Sequence, residues 1–83
     1  MVRQRRRPYT DDQLKKMPCH VCGKPARFQW NACADGNIWR ALCAECDVRL
    51  NEIVVRFLDP DGWVAKLKAY CKRIKFKWNP RSE

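Results

Sequence analysis

Between Arg27 and Cys43 apolar and polar residues tend to alternate, whereas from Ala44 onward the apolar positions recur at helical spacing. Alternation has the period of a strand, because successive side chains point to opposite faces. The pattern predicts two strands, 27–34 and 37–43, joined at Asp35-Gly36, a strong signal for a tight hairpin. That turn would put Phe28, Trp30, Ala32, Trp39 and Ala41 on one face, as the face that packs. Gln29, Asn31, Cys33, Ile38, Arg40 and Leu42 would share the other. In the next segment Leu50, Ile53, Val54, Phe57 and Leu58 form one stripe of an amphipathic helix, with Glu45, Arg49, Glu52 and Arg56 on its other side.

Asp59-Pro60-Asp61-Gly62 breaks that helix and starts another. Asp59 or Asp61 suits the N-cap, and Pro60 suits the first helical position if Asp59 is the cap. The second helix is expected to bury Val64, Leu67, Cys71 and Ile74, with Trp63 and Tyr70 at the edges. Residues 75–79 alternate basic and aromatic and read equally as helix end or extended chain. Near the start, Thr10-Asp11-Asp12-Gln13 fits a capping box. The short helix it opens ends by Met17, because Pro18 disfavours helical geometry before it. Residues 1–17 thus read as a basic flexible arm with a short helix. Residues 18–58 form a central module, and 59–83 form a basic C-terminal helix and tail packed on the same core.

The chain has 83 residues, enough for one domain. So short a chain buries only about 60% of its unfolded surface, and its core needs support from disulfides, a metal or oligomerisation. It contains six cysteines. No apolar stretch follows the basic N-terminus as in a secretory signal, and no run reaches the ~18 apolar residues of a membrane span. The expectation is a cytoplasmic, reducing location, where paired CxxC motifs mean metal.

Cys19, Cys22, Cys43 and Cys46 follow the pattern C-x2-C-x20-C-x2-C. Four thiolates close a tetrahedral zinc site and leave no position for water. One structural Zn²⁺ is therefore expected, with Cys19-His20-Val21-Cys22-Gly23 as a zinc knuckle. Cys43 and Cys46 would sit at the start of the long helix, whose N-terminus favours thiolates. His20 should point away from a site already filled. With Phe28 opposite Cys43 at the hairpin base, Cys33 would lie about 16 Å away along the strand. Cys71 reads as a small buried hydrophobe, and core packing is the expectation for Cys33 as well.

The order of knuckle, hairpin, and helix supplying the last two ligands resembles the treble-clef zinc fingers over about residues 18–58. That resemblance implies a small α+β zinc-bound fold, here extended by a C-terminal helix and a basic N-terminal arm. It leaves function open, since treble clefs serve in DNA binding, ribosomal assembly, nucleases and protein interaction. The stretch Leu42-Cys43-Ala44-Glu45-Cys46-Asp47-Val48-Arg49-Leu50-Asn51 is also similar to small zinc-finger proteins of bacteria and their phages.

The formal charge is +9. Residues 1–16 carry six Lys/Arg against two Asp (+4), 17–58 five against four acids (+1), and 59–83 seven against three (+4). Four thiolates and one Zn²⁺ would add −4 + 2 = −2, giving about +7 and leaving both ends basic. Segregated positive charge is the footprint of phosphate binding, although exposed charge also serves solubility. Nucleic acid, DNA or RNA, is the first expectation for a partner, contacted by Arg3, Arg5, Arg6 and Arg7 in the arm. Lys66, Lys72, Arg73, Lys75, Lys77 and Trp78 would form the C-terminal patch. Trp78 could stack on a base or cap the second helix. Trp30 and Trp39 read most simply as cross-strand core. The alternative is a protein-interaction or regulatory module, such as a phage-encoded inhibitor or adaptor, docking on an acidic protein. No membrane and no small-molecule substrate is expected. Catalysis is not expected either: a closed four-thiolate site cannot activate water, and the only histidine has no catalytic partner in the sequence.

Overall fold

The computed structural model describes residues 7–78, in the order α1 (Asp11–Lys15), β1 (Phe28–Trp30), a 3₁₀ turn (Cys33–Asp35), β2 (Arg40–Leu42), α2 (Ala44–Leu58) and α3 (Trp63–Arg73). Residues 1–6, and with them Arg3, Arg5 and Arg6, lie outside that range. The chain divides into two compact units, 1–47 and 48–83, with the division inside α2. Each has its own buried cluster, described separately below.

In the first unit, α1 forms because its N-terminus is capped from both directions. Thr10 Oγ1 accepts the N–H of Gln13 at 3.2 Å, and Gln13 Oε1 accepts the N–H of Thr10 at 3.0 Å. Leu14 is the buried residue of this helix and joins Ala26 and Ala41, with Tyr9 and Met17 packed against them. Beyond α1, Pro18 and Pro25 pair as an isolated antiparallel bridge. The N–H of Ala26 donates to Met17 O at 3.0 Å. Gln29 holds the segment before the helix. Its side chain accepts the Tyr9 N–H at 2.7 Å and donates to Tyr9 O at 2.8 Å, the two bonds a strand neighbour would make.

The hairpin differs from the sequence expectation. Phe28 pairs with Leu42, Gln29 with Ala41 and Trp30 with Arg40, so the loop spans 31–39 instead of turning at two residues. The Asp35 carboxylate binds the Arg40 guanidinium through two bonds, of 2.8 and 3.0 Å. Gly36 and Asn37 are both left-handed (φ 75° and 60°). A one-residue change of register moves one strand's side chains to the opposite face. Ala41 accordingly shares a face with Gln29, not with Phe28 and Trp30. Trp30 and Trp39 are half-buried and neither belongs to the buried cluster, so the expected cross-strand tryptophan core is corrected. Cys33 opens the 3₁₀ turn and is exposed, not part of a core.

In the second unit, Val48 of α2 meets Leu67 and Cys71 of α3, with Trp63, Tyr70, Ile74, Phe76 and Trp78 packed around them. Val64, expected in this core, is 37% exposed. The apolar stripe of α2 is corrected as well: Ile53, Phe57 and Leu58 are 67%, 82% and 73% exposed. Leu50 and Val54 are half-buried, as are Asn51, Glu52 and Val55, and Val48 is the buried position of α2 in this unit.

Regular helix in α3 starts only after Gly62. The Asp59 carboxylate nevertheless accepts the Gly62 N–H at 3.1 Å, three residues on, as an N-cap does. It also pairs with Lys66 at 2.7 Å. At the other end, the N–H of Phe76 donates to Cys71 O at 2.9 Å and that of Lys75 to Lys72 O at 3.2 Å. This is the bonding of a Schellman motif, with Lys75 as its left-handed residue at φ 59°.

Lys75 occupies a conformation that costs a residue with a Cβ about 1 kcal/mol. Lys75→Gly is therefore expected to stabilise the protein by up to about 1 kcal/mol, read as a raised denaturation midpoint at unchanged slope. The Lys66 ammonium and the Gly62 N–H hold the Asp59 carboxyl below its ordinary range. Its contribution to stability is thus present above that range and lost as pH falls through the lower folded value. NMR titration should find Asp59 titrating low, and Lys66→Ala should move it upward.

Candidate metal centre

The knuckle is folded by the backbone bonds of residues 19–24. The Cys19 N–H donates to Lys24 O at 2.6 Å, and the Gly23 N–H to Cys19 O at 3.0 Å. Gly23 takes φ 82°, which lets the chain turn back with Cys19 and Cys22 on one side. The N–H of His20 donates to Ala41 O at 2.7 Å, fixing the knuckle on β2. The other two cysteines come from the end of β2 and the first turn of α2. Cys43 Sγ accepts the Cys46 N–H at 3.4 Å, three residues on, as an N-cap side chain does.

These elements bring Cys19, Cys22, Cys43 and Cys46 together with their sulfurs all within 4.8 Å of one another. Cys22 and Cys43 are separated by 3.4 Å. A tetrahedral ion with metal–sulfur bonds of ~2.3 Å requires sulfurs about 3.8 Å apart, so the cluster has the size to hold one metal ion. Cys19, Cys43 and Cys46 are buried and Cys22 is exposed. His20 is exposed and outside the cluster, as is Cys33 at the hairpin loop. None of the six cysteines forms a disulfide.

The four thiols differ in electrostatics. Burial pushes the Cys19 thiol up, but the backbone N–H groups of Cys22, Cys43 and Val21 and the Cys46 side chain outweigh it and hold it at about 6. Cys46 is pushed well above its ordinary value, by burial first and then by the Cys19, Cys43 and Cys22 sulfurs. At Cys22 the Lys24 backbone N–H favours the thiolate, but the Cys43 sulfur and burial together raise the thiol. Like charges this close cannot all form unaided; a cation at the centre is what would let them coexist. Outside the sulfurs, Lys24 of the knuckle pairs with Glu45 of α2 at 3.1 Å, which raises the lysine.

The expected C-terminal phosphate contacts are distributed. Lys66 is engaged by Asp59, and Arg73 lies 5.5 Å from the Tyr70 ring centroid. Lys72, Lys77 and Trp78 line one open groove of about 440 Å³ together with Lys68, Cys71 and Phe76. Lys75, with its left-handed backbone, is not among the lining residues. Lys68 was not singled out from the sequence, although it lies one helical turn before Lys72. Trp78 is half-buried, edge-on to Trp63 with centroids 6.3 Å apart. Arg7 is exposed at the edge of the described range.

Among the described residues no helix is long and apolar enough to cross a membrane. No protein family matches the chain, and neither does any curated protein or solved structure.

One metal ion per chain is expected by elemental analysis. Cys46→Ser should abolish that binding and Cys33→Ser should retain it. Chelation should erase the far-UV helical signal of the first unit, whose buried apolar side chains among the described residues, apart from the cysteines, are Leu14, Ala26, Ala41 and Leu42.

Proposed function

We propose that this is a small treble-clef zinc protein of a reducing, cytoplasmic compartment that binds nucleic acid through its basic segments. Zinc is the metal that best suits four thiolates, and the knuckle, hairpin and helix N-terminus supply them in treble-clef order. Structural zinc in small fingers contributes roughly 10–16 kcal/mol, comparable to the whole stability of a domain, so the ion's role here is architectural. Four sulfur ligands leave no site for a substrate, and catalysis is not proposed.

The observation that carries the nucleic-acid reading is the groove in which Lys68, Lys72 and Lys77 surround Phe76 and Trp78. Ammonium groups beside aromatic faces suit a phosphate backbone with unstacked bases, a combination found in sequence-tolerant single-strand binders. Arg7 and the arginines at positions 3, 5 and 6 would add phosphate contacts.

Titration with single-stranded and duplex oligonucleotides is expected to show affinity falling steeply as salt rises, with quenching of tryptophan fluorescence. Replacing Lys68, Lys72 and Lys77 by Ala should weaken binding at least about tenfold and flatten the salt slope by up to about 3. An absence of binding at low salt would remove this reading and leave the alternative, docking on an acidic protein surface.

A further inference from the structure

The groove beside α3 has features that contact with a phosphate backbone alone does not require. From Gly62 to Trp78 the chain carries six Lys/Arg and no Asp or Glu. Lys66 is engaged by Asp59, but among the described residues no carboxylate pairs with Lys68, Lys72 or Lys77. Lys68 and Lys72 stand one turn apart on α3, with Cys71 on the same face. Cys71 lines the groove while only 2% exposed, and so forms its floor. Lys77 comes from the segment after the helix, together with Phe76 and Trp78. Three ammonium groups with no neutralising acid thus border two aromatic rings in a space of about 440 Å³.

Those rings are fixed by the fold itself. The Phe76 N–H donates to Cys71 O at 2.9 Å, and Phe76 and Trp78 both pack against the cluster of Val48, Leu67 and Cys71. Trp78 meets Trp63 edge-on, with the ring planes at 67°, not as a parallel stack. It is half-buried, so part of the ring stays open where it lines the groove. A ring already held in position loses little freedom when a ligand arrives.

The form of nucleic acid that suits this groove follows from where base faces are accessible. An aromatic side chain stacks on a base that is unpaired and splayed from its neighbours, and in a duplex the faces are covered. The major groove of a duplex, about 12 Å wide, can admit a helix. There α3 would meet base edges and leave Trp78 no base to stack on. The groove's volume lies in the lower part of the range for small-ligand sites, about 300–1,000 Å³, and suits single nucleotides of a strand.

On the nucleic-acid reading, we infer that the partner of the α3 groove is single-stranded nucleic acid in preference to duplex. Lys68, Lys72 and Lys77 take the phosphates, and Trp78 with Phe76 takes an unpaired base.

Titration of the full, metal-loaded chain with oligothymidylate and oligouridylate of about a dozen nucleotides, and with a mixed-sequence duplex of equal length, tests this. The tighter of the two strands is expected to bind at least about tenfold better than the duplex at equal salt, although the duplex carries the denser charge. Trp78→Ala should lower single-strand affinity by about tenfold and so close most of that gap, whereas Trp78→Phe, which keeps a ring, should preserve it. Trp78 also packs on the helices, so the Ala variant is read only if it keeps the wild-type far-UV spectrum. Otherwise the contact is read in the wild-type chain by photo-cross-linking an iodouracil-substituted strand, with attachment expected at Phe76 or Trp78. Duplex binding as tight as single-strand binding overturns the inference and leaves the nucleic-acid reading standing. So does a preference that survives Trp78→Ala, or a cross-link confined to other residues. Binding of neither form at low salt removes both.

Discussion

Four cysteine sulfurs held within 4.8 Å of one another set the terms for the first half of the chain. Alone, thiols at that spacing resist joint ionisation: Cys19 is held at about 6 while Cys46 and Cys22 are driven upward. The backbone answers part of that cost, with N–H groups of Val21 and Cys46 directed at sulfur and Cys43 placed as the N-cap of α2. These donors amount to partial positive charge at a helix start and a tight turn, and a cation among the sulfurs would complete what they begin. The strands are short, three residues each, and the buried apolar side chains of this unit among the described residues, apart from the cysteines, are Leu14, Ala26, Ala41 and Leu42. A metal ion held by the four sulfurs would add the strong local interaction that so small a core lacks.

The second unit is built on a different constraint. Its stability rests on Val48, Leu67 and Cys71 with an aromatic surround of Trp63, Tyr70, Phe76 and Trp78. Those aromatics do two things at once. Trp78 covers the helix core edge-on to Trp63 while also lining the lysine-bordered groove. The Schellman turn at Lys75 makes this possible, because it reverses the chain after α3 and returns Phe76 onto Cys71, to whose carbonyl its N–H is bonded. A helix continued through residues 75–78 would have carried these rings onward along its axis. The strained Lys75 backbone is therefore the geometric origin of the groove.

What the sequence made legible was what depends on neighbours along the chain. The capping box at Thr10 and Gln13, the two CxxC turns, the helix beginning at Ala44 and the burial of Leu67 and Cys71 are each set by residues within a turn or two. The hairpin register was not legible, although Asp35-Gly36 is a strong turn signal. Gly36 does adopt the left-handed conformation, but the Arg40 clamp on Asp35 and the left-handed Asn37 hold open a wider loop. That clamp joins residues whose pairing no local pattern announces. The clasp of Gln29 on Tyr9 was hidden for the same reason, since its partners are 20 positions apart.

The α2 stripe shows where periodicity runs out. Leu50, Ile53, Val54, Phe57 and Leu58 identify a helix with an apolar side, and α2 is indeed helical through Leu58. Periodicity says that such a side will be covered; it does not say that the cover comes from the same chain. Val48, two residues before Leu50 and on another face of the helix, takes the intramolecular packing role, and Phe57 and Leu58 are exposed. Misplacing the covered side and misreading the register are the same kind of error. Both treat a pattern of spacing as if it carried information about the partner.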